Sequence, residues 1–278
     1  MVLKAAELLI DSRNRHKTYP SDSATTVNDY KWDIGGVLKN VQSIEVLYAE
    51  IPNSYYNVYP AVSSFTWTVG STTKTVTIPV GNYSATTITA ALNTAIAASG
   101  SYTIPGGTIA DVSQFLEFSL DTTTDQLKLS AIQTSGSTMV SLATADTPYW
   151  MAWTTSTLAG QVTLNNSWLG GATLRLGTEP CIYFAIEEIG RNGERFNFGT
   201  NASRALNIDH AHVLTRFQTP DGINFMNYFS NERNMHERHF DDPLNLSTLT
   251  IQWLRPNGDL IDFNGADHSM HLRVIYDD

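Results

Sequence analysis

The chain has 278 residues, a length near the upper limit for a single hydrophobic core, so it forms one large domain or two closely associated ones. Charged residues make up 16% of the chain, against about 25% in ordinary soluble domains, and the net charge of −10 argues against a general phosphate-binding surface. Cys181 is the only cysteine, which excludes an internal disulfide and predicts a buried, unreactive thiol.

The first predicted strands lie at 29–34 and 40–51, and Gly35-Gly36 is expected to turn the chain between them. Apolar residues occupy both faces of the longer strand, with Ile44, Val46 and Tyr48 on one face and Leu47, Ala49 and Ile51 on the other. This pattern predicts a central strand, or a strand covered by a second sheet or by a neighbouring molecule.

Two hairpins and one helix follow. The hairpins are predicted at 64–69 with 74–80, joined by Gly70–Thr73, and at 116–120 with 127–131. Ser84 is the expected N-cap of the helix and Gly100 its stop signal. The apolar stripe of the helix contains Ile88, Ala91, Leu92, Ala95 and Ile96. Because this helix lacks Lys and Arg, we expect it to pack against a sheet rather than to lie on a membrane.

The second half of the chain is read as long loops at 144–172, anchored by aromatic residues, followed by further strands. These strands are predicted at 181–189, 211–217, 247–254 and 270–276, and Asn257-Gly258 and Asn264-Gly265 are strong turn signals. About ten to twelve strands, one helix and no strand–helix alternation predict a mainly β, antiparallel sandwich. We expect residues 1–59 and 176–278 to build this sandwich and residues 60–175 to be an inserted β-rich subdomain that carries the helix.

The histidines raise the alternative of a cupin-like metal-binding enzyme. His210 and His212 share one face of a predicted strand, whereas His236 and His239, and His268 and His271, are spaced three apart. No other spacing supplies a recognisable third and fourth ligand, so surface or interface histidines are the default interpretation.

Catalytic spacings are equally hard to find. The doublets Glu187-Glu188 and Asp241-Asp242 would point to opposite faces of a strand and could not converge on one substrate. We therefore assign no catalytic, cofactor-binding or metal-binding residue, expect no cofactor, and predict that the chain is not an enzyme.

Aromatic clusters point to packing or to contacts with other subunits. Tyr55, Tyr56 and Tyr59, with Trp67 nearby, are expected to anchor a loop on the core or to enter an interface. The mixed apolar and charged segment 225–242 fits a subunit contact. An alternative is a carbohydrate-binding protein in which Trp150 and Trp153 stack on sugar rings.

The amino-terminal segment is slightly basic but carries no membrane signal. Its cations, Lys4, Arg13, Arg15 and Lys17, exceed its acids by two, which is too few to predict a nucleic-acid contact. Glu7 and Asp11 interrupt the early apolar stretch, which argues against a signal peptide. No segment reaches the ~20 apolar residues that a membrane helix needs.

Five segments, spaced along most of the chain, form a recognisable series: Leu9–Arg15 (Leu-Ile-Asp-Ser-Arg-Asn-Arg), Tyr19–Asp22, Ile44–Val58, Ile78–Ser84 with the following helix, and Pro256–Ser269. In this order they resemble a family of penton and minor capsid proteins from virophages and nucleocytoplasmic large DNA viruses. Residues of roughly 100–175 match poorly.

This resemblance implies a jelly-roll sandwich and a structural role in the virion of an icosahedral double-stranded DNA virus. The implied assembly is a homopentamer at the five-fold capsid vertex that contacts trimers of the major capsid protein and minor capsid proteins, after assembly in the host cytoplasm. A minor capsid or cement protein of the same lineage is the alternative, and the poorly matching part would be a virus-specific outward decoration.

Overall fold

The computed structural model of the chain describes residues 3–15, 29–104, 107–132, 140–142, 148–153, 167–176, 181–191, 213–218, 226–230 and 237–277. These residues form fifteen strands and one α-helix. The elements are β1 (Leu3–Asp11), β2 (Asp29–Pro52), β3 (Ser64–Val69), β4 (Thr72–Thr77), α1 (Ala85–Ala98), β5 (Tyr102–Ile104), β6 (Gly107–Ile109), β7 (Leu116–Asp121), β8 (Gln126–Ala131), β9 (Val140–Leu142), β10 (Ser167–Thr173), β11 (Cys181–Ile186), β12 (Val213–Gln218), β13 (Met226–Ser230), β14 (Glu237–Leu254) and β15 (Ser269–Asp277).

The chain divides into two compact units. One contains Met1–Tyr55 and Thr178–Asp278, and the other contains Tyr56–Gly177. The described strand pairs are antiparallel in both units. The predicted fold class, a mainly β jelly-roll sandwich with a segment that carries one helix, is confirmed. The assignment of residues 60–175 as an inserted subdomain stays a prediction.

The first unit is a sandwich made from a seven-stranded sheet that folds over itself. Its strand order is β1-β15-β2-β14-β11-β12, and β13 also pairs with β2. One layer contains β1, β15, β13 and the second half of β2, and the other contains β11, β12, the first part of β2 and the second part of β14. The layers face each other across one hydrophobic core. In this core the ring centroids of Phe217 of β12 and Phe229 of β13 lie 4.7 Å apart.

Strand β2 corrects the prediction of two strands separated by a turn. Residues 29–52 form one strand that passes through Gly35-Gly36 and bends between the layers. Gly35 adopts a φ of +80° and Asn40 a φ of +48°, and the register with β14 shifts in the same region. Glycine and asparagine tolerate this left-handed backbone, so they bend the strand without ending it.

The faces of β2 also differ from the prediction. Opposite β15, Val46 pairs with Leu272 and Tyr48 pairs with His271, so Leu47 is an extra residue in a β-bulge. The bulge inverts the alternation, and four residues on both sides of it therefore point into the core: Ile44, Val46, Ala49 and Ile51. Tyr48 instead lies on the outward face, and β2 is central, as predicted.

The second unit confirms the predicted hairpins and helix. Strands β3 and β4 pair across a tighter turn than expected, Gly70-Ser71, and β7 pairs with β8. Ser84 Oγ accepts a hydrogen bond from the Thr87 N–H at 3.2 Å, and the Ser84 N–H donates to Thr87 Oγ1 at 2.8 Å, so the predicted N-cap is part of a capping box. Ile88, Leu92 and Ile96 are buried in the core of this unit.

Candidate assembly surface and the joint between the chain ends

The two end regions of the chain meet in the first unit at Ser12, Arg15, Asp267 and His268, a group that we call the end joint. The Ser12 N–H donates to the His268 carbonyl oxygen at 3.0 Å, and the His268 N–H donates back to Ser12 Oγ at 3.0 Å. Ser12 Oγ donates to Asp267 Oδ1 at 2.7 Å, across 255 positions of sequence. Arg15 Nη1 donates to the Ser12 carbonyl oxygen at 2.7 Å and lies 3.5 Å from Asp267 Oδ1.

A short turn presents Ser12 to this joint. After β1 the chain enters a 3₁₀ turn at Ser12–Asn14, and Asp11 caps the turn by accepting the Arg13 N–H at 2.9 Å. The Arg13 guanidinium also hydrogen-bonds the Asp11 carboxylate and holds the pKa of Asp11 below its usual value. The Leu9–Arg15 segment therefore encodes both the end of β1 and the turn that follows it.

His268 is buried against Tyr30, Trp253 and Phe263. Trp253 Nε1 donates to His268 Nε2 at 3.0 Å, and the Tyr30 hydroxyl oxygen lies 2.9 Å from the same nitrogen. Since an indole N–H can only donate, Nε2 is an acceptor and the ring is neutral. Burial lowers the pKa of His268 to about 3, although the nearby carboxylates of Asp267 and Asp11 act in the opposite direction.

The end joint contains a serine, a histidine and an aspartate without the geometry of an activated nucleophile. In a catalytic triad the imidazole accepts the serine proton and is oriented by the carboxylate. Here Ser12 Oγ contacts Asp267 and the backbone of His268, whereas the imidazole Nε2 is engaged by Trp253 and Tyr30. The arrangement joins the end regions of the chain, and the imidazole does not contact the Ser12 hydroxyl.

The outward side of the layer formed by β1, β15, β2 and β13, which we call the outer face, carries side chains in cross-strand rows. Neighbouring strands contribute residues in register, and three rows follow: Asp11, Ser269, Glu50 and Tyr228; Leu9, His271, Tyr48 and Ser230; and Glu7, Arg273 and Glu45, with Glu237 of β14. The intervening residues Ile10, Leu272 and Val274 are buried in the core. Alternation therefore sorts these strands into a core side and an outer side.

Arg273 links two carboxylates across the centre of this face. Its Nη1 lies 3.3 Å from Glu45 Oε2 and its Nη2 lies 3.7 Å from Glu7 Oε1. His271 Nε2 is 3.3 Å from the other oxygen of Glu7. Glu45 is only 7% exposed, so Arg273 supplies the charge that a buried carboxylate requires.

The outer face is acidic overall. Glu50 accepts hydrogen bonds from the Tyr48 hydroxyl at 3.1 Å and from Ser269 Oγ at 2.9 Å. Glu237 accepts one from Ser43 Oγ at 3.1 Å. The carboxylates on and beside the face outnumber its guanidinium groups: Asp11, Glu7, Glu45, Glu50 and Glu237 against Arg13 and Arg273.

Exposed apolar side chains flank these charges. Leu9 is 70% exposed, Tyr228 is 65% exposed and Leu3 is 62% exposed. The Tyr48 and Tyr228 rings lie beside each other, with their centroids 6.5 Å apart. Such a combination of apolar groups and fixed charges is typical of a surface that contacts another protein.

Only some of the histidines can be placed. His210, His212 and His236 lie outside the described residues, so the predicted His210–His212 pair stays a prediction. His239 lies 3.4 Å from Glu237, and His271 contacts Glu7, both on or beside the outer face. The described residues contain no group of three His, Cys, Asp or Glu residues that could hold a metal ion.

The aromatic predictions are resolved by burial. Tyr55 lies in the core of the first unit, and Tyr59 and Trp67 lie in the core of the second, as expected for anchors. The alternative in which Trp150 and Trp153 stack on sugars is wrong, because both are buried, and Trp150 Nε1 donates to the Val62 carbonyl oxygen at 2.8 Å.

Other predictions concern single features of the chain. The Cys181 thiol is buried, as predicted. No helix within the described ranges is long and apolar enough to span a membrane. Of the segment 225–242, the described residues belong to β13 and β14, and they include Tyr228 on the outer face.

Sequence reasoning missed the role of Asn93. In the sequence it is only a polar residue on a predicted helix, and nothing there indicates its partner. Its side chain donates to the Phe118 carbonyl oxygen at 2.9 Å and accepts the Phe118 N–H at 2.8 Å. Asn93 thereby pairs with the edge strand β7 as a neighbouring strand would.

Comparison with known proteins found a family model and similar solved structures. The model of a family described as a family of unknown function (DUF5901) matches residues 2–226. The crystal structure of the selenomethionine-labelled mavirus penton protein is similar over 100% of both chains, with 9% sequence identity and a TM-score of 0.48. No curated protein matches the chain.

Proposed function

This chain belongs to DUF5901, a family of unknown function, and we propose that it is a structural protein of a virion, the penton of an icosahedral double-stranded DNA virus. In this role it forms a homopentamer at the five-fold vertex and contacts trimers of the major capsid protein and minor capsid proteins. It acts by burying surface rather than by catalysis, and it reaches the virion after assembly in the host cytoplasm.

The end joint is the observation that carries this proposal. The segments Leu9–Arg15 and Pro256–Ser269, which resemble capsid proteins in sequence, lie at opposite ends of the chain and interlock through Ser12 and His268. Two chance similarities would have no reason to meet at one joint. Their meeting gives the resemblance a physical basis. The first segment contains the end of β1, the second leads into β15, and these two strands pair with each other.

The outer face adds support from surface chemistry. Leu3, Leu9 and Tyr228 are exposed large apolar residues on one layer, which is a costly arrangement for a protein that stays alone in water. In a ring of identical subunits, each contact joins two different surfaces, and a five-fold rotation closes the ring. A chain that works in such a ring requires extended mating surfaces and no substrate cavity.

The experiment that tests this function is a measurement of mass and symmetry on the purified full chain. We expect native mass spectrometry and sedimentation to give five copies, and electron microscopy to show closed five-fold rings. Antibody labelling of purified particles should place the chain at the vertices. A strictly monomeric chain that is absent from particles would contradict the proposal.

A minor capsid or cement protein of the same lineage is distinguished by copy number. A penton occurs as five copies at each vertex, whereas a cement protein would follow the number of major capsid trimers. The cupin-like alternative depends on His210 and His212, and stoichiometric zinc, iron or manganese in the purified chain would favour it over a structural role.

A further inference from the structure

We propose that β1 is a docking edge for an extended, basic segment of another protein, which adds to the sheet as a further strand. The proposal rests on the function proposed above only in its choice of partner, a second component of the same shell. Strand addition of this kind supplies affinity through backbone hydrogen bonds and specificity through alternate side chains.

Strand β1 ends the sheet within the part of the chain that the structure describes. It pairs with β15 over its full nine residues, and no other described strand pairs with it. Its core-side residues Ala6 and Leu8 are only partly buried, and Leu3 and Leu9 on the outer face are among the most exposed large apolar residues. Long edges of this kind are usually blocked in soluble proteins, so an edge that the described strands leave unpaired and that carries exposed leucines indicates a binding edge.

The outer-face side chains of β1 define the chemistry of the partner strand. Leu3, Glu7 and Leu9 point outward, and Glu7 is 56% exposed although Arg273 and His271 approach it from the β15 side. A partner strand beside β1 would therefore place an apolar residue near each leucine and a Lys or Arg near Glu7. Cross-strand pairs of opposite charge and of apolar groups stabilise such an arrangement.

The same charges argue against a second copy of this chain as the occupant. Antiparallel pairing of two β1 strands about their centre would set Glu7 opposite Glu7, and like charges in directly opposite positions destabilise a sheet. Each copy also carries a net charge of −10, so two acidic outer faces repel each other. A basic segment from a different protein satisfies both requirements.

The test uses the purified full chain and two fluorescent nine-residue peptides, called Lys–Val and Glu–Val. Both have Val opposite Leu3 and Leu9, and they carry Lys or Glu, respectively, opposite Ala5, Glu7 and Asp11. We expect the Lys–Val peptide to bind in fluorescence anisotropy and to protect the amides of β1 from hydrogen exchange, and the Glu–Val peptide to bind at least about tenfold more weakly. Added salt should weaken the Lys–Val complex.

Variants of exposed residues locate the binding edge without disturbing the core. Leu9→Lys should reduce Lys–Val affinity about tenfold, whereas Val37→Lys, at an exposed apolar residue away from the outer face, should leave it unchanged. Glu7→Lys should reverse the preference, so that the Glu–Val peptide binds better. Circular dichroism confirms that each variant is folded.

Three results would overturn the proposal: equal binding of both peptides, exchange protection outside β1, or β1 protection that rises with the concentration of the chain alone. The last result would identify a second copy as the occupant. If the chain is monomeric but binds the Lys–Val peptide, the docking edge is supported and the pentamer is contradicted. If the chain is a pentamer but does not bind the peptide, the pentamer is supported and the docking edge is contradicted.

Discussion

His268 is the residue through which we expect the sandwich to respond to acid. Its pKa falls from about 6.5 to about 3 on folding because burial opposes the charged ring. Its contribution to stability is therefore complete above pH 6.5, and it declines as the pH falls towards 3, because the unfolded chain takes up the proton first. The full shift corresponds to about 5 kcal/mol at most.

The matched variant is His268→Gln, which can still accept a hydrogen bond but does not titrate. We expect this variant to be less stable than the parent at neutral pH, in urea unfolding of the full chain. The difference in the free energy of unfolding should shrink as the pH falls from about 7 to about 4, because protonation of His268 in the unfolded chain destabilises only the parent. A difference that stays constant over this range would show that His268 does not remain neutral in the folded state.

Ser12 is expected to stabilise the end joint by a measurable amount. Ser12→Ala removes the acceptor of the buried His268 N–H and the donor to Asp267, and it should reduce the free energy of unfolding by about 1–3 kcal/mol. Ser71→Ala, at an exposed hairpin turn, is the control and should have an effect within about 0.5 kcal/mol. Equal losses in the two variants would contradict a structural role for the joint.

At the scale of residues, the sequence identified the segments that meet in the end joint but not the contacts between them. Composition alone cannot show that Ser12 meets His268, because that pairing follows from the register of β1 with β15. His268 and His271 form an equal-looking pair in sequence, yet one is buried against Trp253 and the other lies on the outer face beside Glu7. Burial of Trp150 was equally hidden, since an irregular segment gives no period from which an inside can be assigned.

Among the elements, α1 offers the clearest prediction through Asn93. Asn93→Ala leaves the Phe118 N–H and carbonyl groups of edge strand β7 without the pairing that the side chain provides, which should cost about 1–3 kcal/mol in thermal or urea unfolding. Thr94→Ala, at the next and exposed position of the helix, should be neutral or slightly stabilising because alanine favours helices. A loss for Asn93→Ala no larger than that for the control would contradict the edge-pairing role.

Elements with regular periods were predictable, and those with irregular backbone were not. The Ser84 cap, the α1 stripe and the two hairpins follow from local rules that need no knowledge of the rest of the chain. Strand β2 breaks such rules twice, at Gly35 and at Leu47, where a bend and a bulge shift the register against β14 and β15. These shifts are fixed by partner strands that lie two hundred positions away, so the alternation of apolar residues was assigned to the wrong faces.

For the whole molecule, the mainly β class follows from strand patterns and turn signals. The arrangement of those strands in two layers depends on the pairing of β2 with β14 and β15, and these partner strands lie far from β2 in the sequence. The outer face could not be anticipated for the same reason, since it exists only when β1, β15, β2 and β13 lie side by side. Its function stays a proposal that the mass, symmetry and peptide experiments test.

The ionic strength dependence of assembly follows from the net charge of −10 on each copy. Bringing five such copies together opposes association, and salt screens this repulsion over a Debye length of about 10 Å at 0.1 M. We therefore expect the pentamer fraction in sedimentation to rise between about 0.05 M and about 0.5 M NaCl.

The double variant Glu117→Gln with Asp241→Asn removes two exposed negative charges and should assemble better at low salt, with a weaker salt dependence. A pentamer that dissociates as salt rises would mean that ion pairs between subunits outweigh the net repulsion, and the subunit contacts would then have to join acidic surfaces to basic ones.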